Sequence, residues 1–279
     1  MAFKFFSHNG QLLPAEKALV PLSNLEYSYG YGVYETIRVK GSLAFFVDQH
    51  CQRPLSSAAV IDLEHPFSAD EVKQYIMDLI KANQVVSANI KILLIGSVKK
   101  DKADLYLLCL NPQFIDRKSY RDGVSCITYK YQREYAQAKT LNMLPSYLAY
   151  RAARLAEAYD ALLIDQKGYI REGSRTNILC LINKLIYSPP SEQILPGVMR
   201  ANVLTVAKNN GYDYAEKPLN LAEIIQCDSC FLTSASTKIL PIKQIDNQPL
   251  NASSAELRQL IKLFDQYLDN YAAQFSQML

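Results

Sequence analysis

Four groups of residues in this 279-residue chain could do chemistry. Lys139, in Ala138-Lys139-Thr140-Leu141-Asn142, offers an amine that turns into a nucleophile or general base when burial or a nearby group lowers its pKa. Glu172, in Arg171-Glu172-Gly173-Ser174-Arg175-Thr176-Asn177, offers a carboxylate. Arg53 offers a forked cation that suits a carboxylate or phosphate. Ile194-Leu195-Pro196-Gly197-Val198-Met199-Arg200 reads as a loop entering a helix, and the first amides of a helix attract anions. Taken singly, each has a plain alternative: a solvated lysine, the end of a hairpin strand, a surface cation, a connecting loop.

Other motifs carry less. Cys227-Asp228-Ser229-Cys230 is a C-x-x-C, but a redox or zinc role needs a helix N-terminus or a second ligand pair. Neither is visible, because His8, His50 and His65 lie far away in sequence, and no metal site is expected. The six cysteines are scattered, four of them in apolar runs, which reads as reduced, buried thiols and not a disulfide framework. Asn251-Ala252-Ser253 matches a glycosylation sequon by pattern alone. The tyrosines between 27 and 34 lack basic interleaving, so they read as strand and pocket wall and not as a nucleic-acid stacking surface.

The elements that must position these groups follow from turns and periodicity. Asn9-Gly10 joins two short strands, and Gly41-Ser42 joins Val33–Lys40 to Leu43–Val47. Helices are expected over Asp48–Ala59 and Ser68–Asn83, the second opened by a Ser68/Glu71 capping box. Strands follow at Ile90–Ser97 and Asp104–Leu110. The polar stretch Asn111–Tyr120 is the expected linker. Beyond it come a strand at Val124–Tyr131, a helix at Ser146–Tyr159, and hairpins around Lys167-Gly168 and Asn183-Lys184. A helix from Gly197 to Asn209, three further strands and a final helix from Ser253 to Phe275 complete the chain. Hairpins outnumber strand–helix–strand units, so the expected class is α+β, with domains at 1–115 and 122–279. A net charge of +3 without a basic block gives no reason to expect nucleic acid. No segment approaches a membrane span, and a cytoplasmic enzyme is expected.

Order and spacing add what single residues lack. Lys-Thr-Leu-Asn at 139, Glu-Gly-Ser-x-Thr-Asn at 172, Leu-Pro-Gly-Val-x-Arg at 195 and Phe-Leu-Thr-Ser-Ala-Ser at 231 occur in sequence. Upstream stand Tyr29-Gly30-Tyr31-Gly32-Val33-Tyr34-Glu35-Thr36-Ile37-Arg38 and His50-x-x-Arg53 with Ser57-Ala58. Over about residues 8–245 this set resembles the class IV aminotransferases, which include branched-chain and D-amino acid transaminases and aminodeoxychorismate lyase. The resemblance implies a two-domain fold of the D-amino acid aminotransferase type (PLP fold type IV), with pyridoxal 5'-phosphate (PLP) at the domain interface, and a homodimer. It implies that Lys139, in the second domain, holds the cofactor as a Schiff base and later acts as the base at Cα. Glu172 would face the pyridine nitrogen and Leu195 the ring. Arg53, Gly197, Val198, Met199, Ser234, Ala235 and Ser236 would hold the phosphate. Tyr34 would lie near the substrate carboxylate, with Arg38 as a nominated cation and Lys91 and Arg133 as looser ones.

The departures concern the substrate. Asn24-Leu25-Glu26 stands where relatives often carry Asp-Arg-Gly, and Gly30-Tyr31-Gly32 where Gly-Asp-Gly is common. A phosphate-contacting threonine is replaced by Ala235, and Leu94-Ile95-Gly96 lacks the carboxylate-binding arginine of D-amino acid transaminases. With the strand Glu35-Thr36-Ile37-Arg38-Val39, this favours the lyase reaction, in which 4-amino-4-deoxychorismate loses pyruvate to give 4-aminobenzoate for folate synthesis. A branched-chain or D-amino acid transaminase is the alternative, and a non-catalytic PLP-fold binding protein the third.

Overall fold

A computed structural model of the chain describes residues 3–112 and 114–276. They divide into two units: residues 3–112 with 137–143, and residues 114–136 with 144–276.

Unit 1 is built on one antiparallel sheet. Its elements are β1 (Phe5–His8), β2 (Gln11–Pro14), α1 (Leu25–Ser28), β3 (Gly32–Lys40), β4 (Leu43–Ala44), α2 (Val47–Val60), α3 (Ala69–Ala82), β5 (Ser87–Ile95) and β6 (Asp104–Leu110). The strand order is β2-β1-β6-β5-β3-β4. Alternation along β3 and β5 buries Val33, Ile37, Val39, Ile90, Ile92 and Leu94. α2 and α3 bring further apolar groups to this core, with Val72, Ile76, Leu79 and Ile80 forming the apolar stripe of α3. The Ser68/Glu71 capping box forms as its local pattern requires. The strand expected to reach Val47 stops at Ala44, because Phe46 takes a left-handed φ of 53° and α2 opens at Val47.

The segment that carries Lys139 joins unit 1, not the second domain to which its sequence position assigned it. β4 covers only Val39 and Lys40 on one edge of β3. Residues 139–141 pair with its beginning: Thr140 bridges Val33, Tyr34 N donates to Lys139 O at 2.8 Å, and Leu141 N donates to Gly32 O at 2.8 Å. An open strand edge is a row of backbone groups that need partners, and this segment satisfies them. Gly32 permits the approach, since a Cβ there would lie 2.6 Å from Leu94 O and 2.7 Å from Leu141 Cδ1.

Unit 2 comprises α4 (Arg117–Asp122), β7 (Val124–Lys130), α5 (Leu144–Leu155), β8 (Asp160–Ile164), β9 (Tyr169–Gly173), β10 (Asn177–Ile182), β11 (Leu185–Ser188), α6 (Val198–Asn209), β12 (Asp213–Glu216), β13 (Leu219–Asn220), α7 (Leu221–Ile224), β14 (Ser229–Ser234), β15 (Lys238–Ile245), β16 (Gln248–Pro249) and α8 (Ala255–Ser276). The strands run β12-β11-β10-β14-β15-β7-β8-β9-β13, with β16 on β15. The expected hairpins β8/β9 and β10/β11 are present, and the α+β class holds. Three pairs are parallel: β11/β12, β7/β15 and β7/β8. Each joins strands that a helix or a long stretch of chain separates, which local turn patterns cannot register. Among the described residues no helix is long and apolar enough to cross a membrane.

Candidate active site

On unit 1, β3 sorts its side chains by parity. Val33, Glu35, Ile37 and Val39 face the core, and Tyr34, Thr36 and Arg38 lie on the opposite, half-buried face. Lys139 Nζ stands 3.3 Å from the Tyr34 hydroxyl and 4.3 Å from the centre of its ring. The lysine backbone is pinned as well, because its N–H donates to Ser57 Oγ on α2 at 3.1 Å. Lys91 sits directly across from Thr36 on β5 and lines a cleft of about 430 Å³ with Leu93, Leu141 and Met143. Ile95, in the segment where the carboxylate-binding arginine would stand, is fully buried.

Glu35 is the unexpected member of this unit. It is fully buried in a row of apolar neighbours. α2 supplies its partners from positions one turn apart. Arg53 Nε donates to Oε2 and Nη2 to Oε1, both at 2.6 Å, while His50 Nδ1 stands 3.4 Å from Oε1. Thr36 N also donates to Oε1 at 2.6 Å. Burial pushes the Glu35 pKa up, but the charges of Arg53 and His50 and their hydrogen bonds outweigh it, and the carboxyl is held well below the usual range. Arg53, expected at a phosphate, thus has two of its donors on a carboxylate of its own unit. In the sequence Glu35 stands out only as part of a strand motif. Its signal was a carboxylate at a core-facing parity of that strand.

Unit 2 gathers Glu172, Leu195, Gly197 and the start of α6. Glu172, next to last in β9, has a side chain 3% exposed, and Arg133 Nε lies 3.0 Å from its Oε1. Arg133 also donates to Ser174 O at 2.9 Å, so this cation, nominated for substrate, serves Glu172 instead. Glu172 Oε2 accepts the N–H of Leu195 at 3.2 Å, and Asn177 Nδ2 donates to Leu195 O at 3.0 Å. Leu195 is therefore held at both backbone groups, two residues before Gly197, the N-cap of α6. The tight loop Gly173–Thr176 is locked by buried Asp160, which accepts from the Ser174 and Thr176 hydroxyls and from Ala161 N. Sequence reading missed Asp160, whose partners lie 14 and 16 residues away.

The N-cap glycine supplies no side-chain cap to α6, and the first-turn amides, including those of Val198 and Met199, are the groups of a helix start that suit an anion. A Cβ at Gly197 would fall 1.9 Å from Asn177 Oδ1. Gly197→Ala should therefore displace Asn177 and cost about 1–3 kcal/mol. If that cost falls on the cofactor-bound state, PLP should bind roughly ten- to a hundredfold more weakly in a fluorescence titration; unchanged affinity would remove this helix start from the phosphate site. The β14–β15 turn presents Ser234, half-buried Ala235 and exposed Ser236, with Ser234 Oγ 2.9 Å from Thr237 Oγ1. Beside it, opposite Asn177 in the register, the buried Thr233 hydroxyl finds no hydrogen-bond partner among the described residues.

Comparison with known proteins agrees with this layout. The sequence pattern of the amino-transferase class IV family matches residues 32–245. The D-alanine aminotransferase of Bacillus licheniformis is 30% identical over 256 residues, covering 88% of this chain and 90% of its own. The branched-chain-amino-acid aminotransferase of Pseudomonas aeruginosa is 24% identical, covering 88% and 86%. A branched-chain amino acid aminotransferase from T.th., solved in complex with N-(5'-phosphopyridoxyl)-L-glutamate, superposes with a TM-score of 0.86 at 26% identity, covering 96% of this chain and 94% of that one. With its two-sheet α+β fold, and with Lys139 and Glu172 both in structured surroundings, this chain belongs to the class IV aminotransferase family.

Proposed function

We propose that the chain is a cytoplasmic, homodimeric, PLP-dependent aminotransferase that moves the amino group of an amino acid to a 2-oxo acid. One observation carries the reading. Glu172, a buried carboxylate, tethers Leu195 just ahead of an uncapped helix start. A carboxylate and an anion site so linked suit one molecule that carries both a protonatable ring nitrogen and a phosphate. The unpartnered Thr233 hydroxyl and the Gly197 approach, where a Cβ has no room, fit the same ligand.

PLP supplies an electron sink that lowers the cost of removing the substrate Cα proton. Lys139 Nζ would anchor it and would take that proton, with the Tyr34 hydroxyl 3.3 Å away to position Nζ. Arg133 and Leu195 N hold the Glu172 carboxylate in one orientation. Gly197, Val198, Met199, Ser234, Ala235 and Ser236 would hold the phosphate, and Arg53, oriented by Glu35, would add charge. Arg38 and Lys91, on the Tyr34 face of the sheet, are the cations offered to the substrate carboxylate.

The aminotransferase reading rests on relatives of that name that match over most of the chain. The lyase reading stands second on one observation: Ile95 replaces a cation, while Arg38 and Lys91 lie near each other on one sheet face, where they suit a dicarboxylate. The PLP-loaded enzyme should form glutamate from 2-oxoglutarate and one or more members of a panel of D-amino and branched-chain L-amino acids. If it forms no glutamate and instead releases 4-aminobenzoate and pyruvate from 4-amino-4-deoxychorismate, the lyase reading replaces it. Sedimentation at working concentration tests the dimer, and a monomer that retains full activity would refute it.

A further inference from the structure

Unit 2 holds a cluster of three thiols to which none of the roles above is given. Cys180 on β10 and Cys230 on β14 are directly opposite each other in the antiparallel register, and their sulfurs lie 3.1 Å apart. Cys227, in the turn between α7 and β14, brings a third. All three Sγ atoms lie within 4.8 Å of one another. The first two residues are fully buried and Cys227 is the least buried of the three. Its frame is held from several directions. Asp228, between the two C-x-x-C cysteines, accepts the N–H of Asn183 in the β10–β11 turn, and the Cys227 and Cys230 thiols approach the carbonyls of Glu223 and Ile224 at 3.5 and 3.8 Å.

Isolated buried cysteines are small apolar residues, and Cys51, Cys109 and Cys126 fit that description. The trio differs because sulfurs from residues 50 apart converge on one point. A metal–thiolate bond of about 2.3 Å places the sulfurs of a tetrahedral or trigonal site roughly 3.8–4.0 Å apart. The range of 3.1–4.8 Å brackets that spacing, so sub-ångström side-chain shifts would complete it. No imidazole or carboxylate joins the set among the described residues, and an all-sulfur set selects soft ions.

We propose that Cys180, Cys227 and Cys230 form a trithiolate site for one soft d10 metal ion, Zn²⁺ or Cu⁺. The ion would join β10, β14 and the α7–β14 turn. These are the strands that carry Asn177 at one start and Ser234 at the other end. An ion that binds only the folded chain stabilises it by mass action.

The test uses the reduced, full-length protein freed of metal by a chelator. It is titrated with Zn²⁺, with Cu⁺ under anaerobic competition with a chelator of known affinity, and with Co²⁺ as a spectroscopic probe. One ion per chain, a sulfur-to-cobalt charge-transfer band and a raised melting temperature are expected, and the competition shows whether Zn²⁺ or Cu⁺ is preferred. Cys227→Ser, at the least buried of the three positions, should fold and weaken binding at least tenfold. Cys109→Ser in unit 1 should leave binding unchanged. If Cys180→Ser does not fold, the Cys227→Ser and Cys109→Ser comparison still decides. Sub-stoichiometric uptake, equal binding by Cys227→Ser, or a protein that takes up no metal but forms a disulfide within the trio in air would overturn the site. None of these readouts depends on PLP or on turnover.

Discussion

Lys139→Ala should leave a folded protein without the visible, borohydride-bleachable PLP band of the wild type. The fold should persist because the mutation keeps the backbone links, Tyr34 N to Lys139 O and Lys139 N to Ser57 Oγ. What disappears is the Nζ that lies 3.3 Å from the Tyr34 hydroxyl. Loss of a positioned proton carrier alone lowers turnover by about 10²–10⁴-fold, and loss of the covalent anchor adds to that. A small primary amine in the buffer should restore part of the rate, since it can carry the proton that Lys139 carried. Tyr34→Phe should keep the band and reduce turnover by less, because it removes a positioning contact and not the amine. A bleachable band that survives in Lys139→Ala would move the anchor to another lysine and end this assignment.

The second large effect is structural. Glu35→Ala leaves Arg53 and His50 facing a cavity inside the core of unit 1. Removing one partner of a buried ion pair costs about 3–5 kcal/mol. At roughly 2–4 °C per kcal/mol for a chain of this size, melting should fall by on the order of 10 °C. Glu35→Gln, which keeps the shape and loses the charge, should fall by less. The pH dependence follows from the direction of the shift. The folded carboxyl is held below its unfolded value of about 4.3, so its contribution is fully present above that value. It is lost as pH falls from there through the lower, folded value. Wild-type melting should therefore drop more steeply below about pH 4 than that of Glu35→Gln. Parallel curves would mean that the carboxylate charge does not stabilise the unit. Because Arg53 is the cation proposed for the phosphate, Glu35→Gln should also weaken PLP binding.

Local chemistry was legible wherever it acts within a few residues. The Ser68/Glu71 capping box, the Asn9-Gly10 hairpin and the start of α6 after Gly197 all lie where short-range patterns placed them. The ordered motifs around Lys139, Glu172 and Leu195 named the family for the same reason: chemistry that needs a given residue beside a glycine or a helix start leaves a local trace. Partners distant along the chain left none. Glu35 with Arg53, and Glu172 with Arg133, are charges whose pairing depends on which face of a strand meets which helix or loop. The C-x-x-C at Cys227 looked incomplete because its third sulfur, Cys180, arrives on a neighbouring strand.

Lys139 shows the division best. The residues around it determined that it was the amine to watch, and that a carboxylate, a leucine and a helix start would follow in order. The side of the domain boundary on which it sits was decided by an edge of β3 that β4 leaves uncovered. Side-chain type is written residue by residue, whereas a strand edge in need of hydrogen bonds accepts any segment that reaches it. Which segment does so depends on the packing of the whole unit.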